Sequence, residues 1–553
     1  MIGVISKQTE SKAVQEFFQL YKTPWEFYEA EHGYEVVVVS NDQMPRDLHA
    51  KLVVCYNSKR TVLDDRLAID LQSLNRGEWV DGVGGSFPLY GDTCAVQAEG
   101  QQLLQSRSGS GAIGFSMDDG ASQIVRIGYD LFQEIEYLLL NGQPPDHAAI
   151  PTLELHIALL RQIMISAGVP FVEIPPTPAG YEFMACLTHD VDFTGIREHK
   201  FDYTLLGFVY RALAGSFFDA LTGRVPWSRC LKNWKAVLSL PFVYMGWAED
   251  FWLEFDRYME IEKRLGSTFF FIPFRNNPGT LATGPAPKRR AIRYDLLAMK
   301  AQVRNLIDKG CEVGLHGLDA WQSPEKAQIE LQRIREVTGQ PESGVRMHWL
   351  YFGENSPNAL EKAGLAYDST FGYNDAVGFR AGTAQAFCPL QAQEMLELPL
   401  IIQDTAMLYP GRMHLSETEA LDLCKQVTQC AVQFGGAVTV NWHTRSLSPE
   451  RLWGEFYAKL LQEMQRHRVW FGTARDIVTW FRNRRAIRFE RVQFHGDGVR
   501  VVIAGPSPAA QPPVVLRAYR PKSKSSLGSE CVVTASCYSE ILWKGETELN
   551  LAF

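Results

Sequence analysis

The chain alternates between short, uninterrupted apolar runs and longer stretches in which apolar residues return every three or four positions. The first pattern suits strands buried on both faces, and the second suits amphipathic helices. Early in the chain, "YEVVVVS" (34–40) and "KLVVCYN" (51–57) read as buried parallel strands, with "GAIGFSM" (111–117) and "QIVRIGY" (123–129) as two more. Helical spacing follows in "DLFQEIEYLLLNG", closed by Gly142, and in "LELHIALLRQIMISAG", closed by Gly168; glycine commonly ends a helix in a left-handed turn. Residues 1–175 are thus expected to form an α/β domain. "GVGGS" (82–86) reads as a turn, since no nucleotide-binding glycine fingerprint accompanies it.

"VEIPPTPAGYE" (172–182) is Pro-rich and without periodicity, and is expected to be an accessible linker. From 183 to 484 strand and helix patterns alternate. The expected strands are "MACLTHDVD", "STFFFIP", "CEVGLH", "GVRMH", "LAYDST", "MLELPL", "AVTVNWH" and "RVWFG". Helical stretches such as "YDLLAMKAQVRNLIDKG", "SPEKAQIELQRIREVTG" and "SPNALEKAG" fall between them and end at glycine. This alternation predicts a distorted (β/α) barrel of seven or eight strands, in an α/β fold class. Residues 201–250 interrupt the barrel with aromatic-rich helical patterns, the second broken by Pro241. They are expected to lie over the barrel mouth as a lid; resting on a membrane surface is the alternative, disfavoured because the faces are not strongly basic. From 487 the pattern turns to β alternation with Pro, Gly and Ser turns, predicting a C-terminal all-β, sandwich-like domain over 487–553.

The length of 553 residues exceeds one ordinary core. A hydrophobic share of 46% with 21% charged residues is globular composition. The net charge of −8 argues against a nucleic-acid partner, whose phosphates call for a basic face. The one dense basic cluster, "PKRRAIR" (287–293), reads as a solvated loop. The ten cysteines form no C-x-x-C pair, and Cys424 and Cys430 are spaced for neither a zinc knuckle nor a redox pair. They read as small core residues of a reducing compartment. Neither a secretory leader nor an apolar run long enough to span a bilayer is visible, so a cytoplasmic location is expected.

The chemistry gathers where expected strands end. In "ACLTHDVDF" (185–193), strand alternation sends Asp190 and Asp192 to one face and His189 and Val191 to the other. Two like charges so close suit either polar capping of a turn or a site in which one carboxylate holds a metal and the other moves a proton. "GLHGLDAW", "VRMHW" and "VNWH" each close a strand with His316, His348 and His443 respectively. Carboxylate with imidazole is a normal ligand set for a divalent cation such as zinc.

In order and character these motifs resemble those of the polysaccharide deacetylase (NodB-homology) family, carbohydrate esterase family 4, over about 183–484. The resemblance implies that Asp190 is the proton acceptor, Asp192 and His316 bind metal, Arg346 in "RMHW" holds the base, and His443 is the general acid. The family's second metal histidine would fall at position 320, which is Ala320 here. Asp319, on the loop of His316, is taken as the third ligand, with His348 as the competitor and a helix cap as its structural reading. His348, Trp349, Tyr351, Trp442 and Trp321 lie beside the motifs and are expected to contact sugar, core or rim packing being the alternative for the aromatics. The implied function is metal-dependent removal of acetyl groups from an N-acetylated sugar or oligosaccharide. The alternatives are a carbohydrate-binding pseudoenzyme and a hydrolase of another non-peptide C–N bond.

Overall fold

A computed structural model describes residues 1–552 except 46–47, 83, 264, 497, 507–511 and 522–537. The N-terminal apolar runs form a nine-stranded sheet. Trp25–Phe27, Ile2–Ile5, Val36–Val39, Leu52–Tyr56 and Gln123–Ile127 lie side by side in parallel. The sheet then continues antiparallel through Ala112–Asp118, Gln101–Ser106, Trp79–Gly82 and Gly85–Pro88. Helices Leu131–Leu140 and Thr152–Ser166 stand where their spacing predicts.

The stretch 172–182 departs from the expected accessible linker. Phe171–Glu173 is a strand that pairs antiparallel with Val514–Tyr519, and residues 171–176 are buried. Proline removes a donor but leaves the carbonyls, and these are used: Pro176 accepts from Gly436 N–H, and Ile174 and Pro175 accept from the buried guanidinium of Arg484. That guanidinium also reaches the carbonyls of Gln19 and Leu20. A buried arginine thus ties together segments from both ends of the chain, and the non-periodic sequence reflects backbone paired to side chains rather than exposure.

All eight strands expected after 183 are present, with Ile402–Gln403 as a ninth, in one parallel sheet. Phe183–Val191 is central. It pairs with Ala437–Asn441 on one side, and on the other with Val469–Gly472 near its start and Ser267–Phe271 near its end. The sheet runs on through Glu312–Gly317, Val345–Met347, Tyr367–Asp368 and Leu396–Glu397. Its edge strands, Leu396–Glu397 and Ile402–Gln403, are successive pieces of one extended stretch, the first paired to Tyr367–Asp368 and the second to Ala437–Asn441. The sheet therefore curls around, and the carboxyl ends of its strands converge.

The tail holds two three-stranded antiparallel sheets, one of which borrows Phe171–Glu173. Among the described residues every cysteine is unpaired. Residues 203–245 form two helical segments, Tyr203–Leu221 and Trp227–Met245. The first, 19 residues of mean hydropathy 1.2 and 22% buried, is long and apolar enough to cross a membrane, contrary to the expectation from the sequence. In the sequence Arg211 and Asp219 interrupt the apolar run.

Candidate active site and metal centre

Strand alternation works at the opening motif as the sequence implies. His189 turns into the core, where its ring bonds the Trp442 carbonyl at 2.8 Å and faces Glu262. Asp190 and Asp192 turn to the other face, beneath a cavity of about 330 Å³ at the strand ends. The same cavity is lined by His316, His348 and His443.

Asp192, His316 and His348 present ligand atoms that all lie within 4.8 Å of one another. Asp192 Oδ1 is 3.5 Å from His316 Nε2 and 3.4 Å from His348 Nε2, and it is buried with no hydrogen-bond partner. A buried carboxylate oxygen facing two imidazole nitrogens is costly unless something positive sits between them. The tautomer of His316 fits such an occupant. Its Nδ1 donates to the Arg346 carbonyl at 2.9 Å, which leaves the Nε2 lone pair aimed at Asp192. Burial pushes the His348 imidazole down to about 3, so that ring also offers a neutral nitrogen. Burial of Asp192 is outweighed by His348, His316 and His443, which hold its carboxyl well below the usual range. The set fits a divalent cation with one carboxylate and two imidazoles.

Asp319 is not brought to this cluster. Its Oδ1 accepts from Thr280 N–H at 2.7 Å, from the Thr280 hydroxyl and from Gln322, which makes it a loop anchor. From the next strand, His348, expected either as the competing ligand or as a sugar contact, brings its Nε2 beside Asp192 and His316 instead. Sequence spacing favoured the nearer residue, whereas parallel pairing of His316 with Arg346 puts the end of the neighbouring strand closer in space.

Asp190 is held as an anion. Its Oδ1 accepts from Arg346 Nη1 at 3.1 Å and its Oδ2 from Asn441 Nδ2 at 2.7 Å. Burial would raise its carboxyl, but His316 and Arg346 bring it below the ordinary value. Arg346 is itself fully buried and anchored, donating to Thr188 Oγ1, the Ser369 carbonyl and the Ser369 hydroxyl.

His443 carries a partner that the sequence did not disclose. Its Nδ1 meets Asp404 Oδ1 at 2.6 Å, and its backbone N–H donates to Asp404 Oδ2 at 2.8 Å. Burial opposes the imidazolium, but the Asp404 carboxylate dominates and raises His443 to about 9. Nε2 is left facing the cavity, 3.9 Å from Asp192 Oδ2. Asn441 could have been found by alternation, being two residues before His443 in "VNWH". Asp404 shares only the weaker sign of a carboxylate just past an apolar run.

The aromatics divide. Trp349 lines the cavity, on a turn where Trp349 and Leu350 both take positive φ (65° and 54°), a conformation a bulky residue adopts only under constraint. Tyr351 packs under the Arg290 guanidinium rather than on the cavity wall. Trp442 is fully buried and stacked on Tyr457 and Phe456, on the opposite face of its strand from Asn441 and His443. Trp321 packs against the core near Gly353 and does not line the cavity. Trp442, Trp321 and Tyr351 are therefore packing residues, the alternative reading of each.

No family model matches the chain, and no curated protein matches it. Among solved structures it is similar to a protein from Mycobacterium smegmatis provisionally described as a polysaccharide deacetylase, at 17% identity and TM-score 0.34, covering 56% of this chain and 95% of that one. It is also similar to a CE4 family pseudoenzyme from Bacillus anthracis, at 13% identity and TM-score 0.25, over 55% of this chain and 70% of that one. A third is the CE4 domain of a multidomain xylanase from the hindgut metagenome of Trinervitermes trinervoides, at 10% identity and TM-score 0.23, over 41% and 83%.

Proposed function

We propose that this chain is a deacetylase-like hydrolase of the polysaccharide deacetylase type, using a divalent cation, with zinc the first choice, to cleave an acetamide on a sugar. The observation that carries the reading is the division of labour around one cavity. An orphaned Asp192 oxygen and two imidazole nitrogens converge on one point, while Asp190 and His443 stand beside it, each bonded to its own buried partner of opposite charge. A cation held by Asp192, His316 and His348 would polarise the amide carbonyl and make a nearby water more acidic.

The protein's own groups do the proton work. Asp190, kept anionic by Arg346 and aligned by Asn441, accepts the proton from the attacking water. His443, kept protonated by Asp404, gives its Nε2 proton to the amine as the C–N bond breaks, leaving acetate and a free amino sugar. The test is acetate release from N-acetylated sugars by the purified chain. Asp190→Asn should lower turnover about 10²–10⁴-fold while leaving bound metal unchanged. Loss of metal with Asp190→Asn, or undiminished turnover, would sink the assignment. A non-catalytic carbohydrate-binding role would show as sugar binding without acetate release.

A further inference from the structure

Two features lie outside the machinery just described, and both concern the mouth of the cavity. The first is its charge. Six arginines and only two aspartates, Asp190 and Asp192, line it. Arg290 and Arg445 are structural, the former bonded to three backbone carbonyls and the latter paired with Glu450. The other four, Arg211, Arg289, Arg412 and Arg451, form no direct ion pair among the described residues, although Asp404 attracts Arg412 and Arg451 and Asp375 attracts Arg412. Arg412 bonds Asn374 at 3.4 Å, Arg451 bonds the Ser446 hydroxyl and faces aromatic rings, and Arg289 lies over the face of Trp349. Four guanidinium groups facing one cavity repel each other, and a neutral sugar does nothing to offset that. A phosphate offers acceptor oxygens in the geometry that guanidinium groups match best.

The second feature is the outer face of the helical pair over 203–245. On the first helix Tyr203, Leu206, Tyr210, Leu213, Phe217 and Leu221 recur at helical spacing, and all are exposed. On the second, Trp227, Leu231, Trp234, Leu238, Phe242 and Met245 do the same, with Leu238 76% exposed. The stripes join where Phe217 stacks on Trp234 and meets Trp227 edge-on. Leu205, Phe208 and Ala212, on the opposite face of the first helix, pack with Trp252 and Ile196. The pair therefore shows apolar residues on both sides, one side to its own core and one to solvent. An apolar patch of this extent is rare on a soluble monomer. Basic residues flank it, Arg224, Lys232 and Lys235 all being exposed, as on helices that lie in a lipid interface. The opposite face of the first helix is already packed within the chain. Tyr203, Thr204 and Arg211 of the same helix line the cavity, so the apolar face and the arginine wall are continuous.

We propose that the substrate is a membrane lipid whose headgroup is an N-acylated sugar joined through phosphate. The stripes rest on the bilayer, the free arginines take the phosphate, and the amide reaches Asp190 and His443. The amide part of this statement rests on the hydrolase reading above; the lipid and phosphate parts do not.

The test uses the full chain and two probes. With vesicles of phosphatidylcholine and phosphatidylglycerol, the protein should float with the lipid. The triple variant Leu206→Gln, Leu231→Gln and Leu238→Gln, at an unchanged melting temperature, should partition about ten-fold less or weaker still. Inorganic pyrophosphate should bind, and the double variant Arg412→Gln and Arg451→Gln should weaken it about ten-fold or more. The proposal is overturned if the protein ignores vesicles and is instead a dimer that the leucine variant dissociates. It is also overturned if pyrophosphate does not bind, or binds both proteins equally. Acetate release from neutral oligosaccharides without vesicle binding would keep the hydrolase reading and remove this one. Vesicle and pyrophosphate binding with no acetate from any sugar would keep the lipid and phosphate parts and remove the amide part together with the hydrolase reading.

Discussion

The strand ends of the curled sheet and the helical pair over 203–245 break the ordinary rule of burial in opposite directions. At the strand ends, charge is buried: Asp190 is almost inaccessible, and Arg346 and Asp404 are fully so. Along the helical pair, apolar surface is exposed. The two exceptions are maintained differently. Each buried charge is accounted for by named partners, as Asp190 is by Arg346 and Asn441, and His443 by Asp404. The exposed stripes meet each other where Phe217 stacks on Trp234, and beyond that contact much of their apolar surface faces solvent. Interdependence should therefore make the first region intolerant of change and leave the second tolerant in stability terms.

The largest effect is expected at Arg346. Replacing it with Met leaves Asp190 buried without its charge partner, and breaking one member of a buried pair costs about 3–5 kcal/mol. Urea unfolding would measure it. A loss below about 1 kcal/mol would mean that Asp190 is carried by its other contacts alone.

A smaller effect is expected at Asp404, and it is read in pH. The folded value of His443 is raised to about 9 from 6.5. The stability contributed by this pair is fully present below the unfolded value near 6.5 and is lost as pH rises through about 9. For catalysis, a proton donor near 9 sustains turnover up to that pH. Asp404→Asn should move the alkaline limb of the rate profile toward neutral, with a smaller loss at low pH. An unmoved limb would remove His443 as the donor.

The smallest effect is expected on the exposed face. Leu238→Gln should change folding stability by no more than about 0.5 kcal/mol, because that side chain is 76% exposed. A loss above about 2 kcal/mol in thermal unfolding would show that the stripe is internal packing and erase the contrast between the regions.

How much of this was written in the sequence follows the same division. Apolar runs bounded by turns placed eight of the nine strands of the sheet after 183 and missed the two-residue Ile402–Gln403, too short to show a pattern. Alternation placed Asp190 and Asp192 together and His189 apart. What escaped depends on pairing between distant segments. Asp404 reaches His443 because Ile402–Gln403 pairs with Ala437–Asn441, and His348 joins His316 because their strands are neighbours. The Pro-rich 172–182 stretch misled because its order comes from Arg484 and from Val514–Tyr519, hundreds of residues away. On the helical pair the period showed that helices form. It could not show which of two apolar faces is turned outward.

The central claim is that the cation site is Asp192, His316 and His348, completed across a strand boundary rather than along the loop of His316. Elemental analysis of two purified variants tests it directly. His348→Ala should lose most of the bound metal, because one of three ligand atoms is gone, while Asp319→Ala should keep it and suffer only a loosened Thr280 loop. Metal retained by His348→Ala and lost by Asp319→Ala would contradict the account.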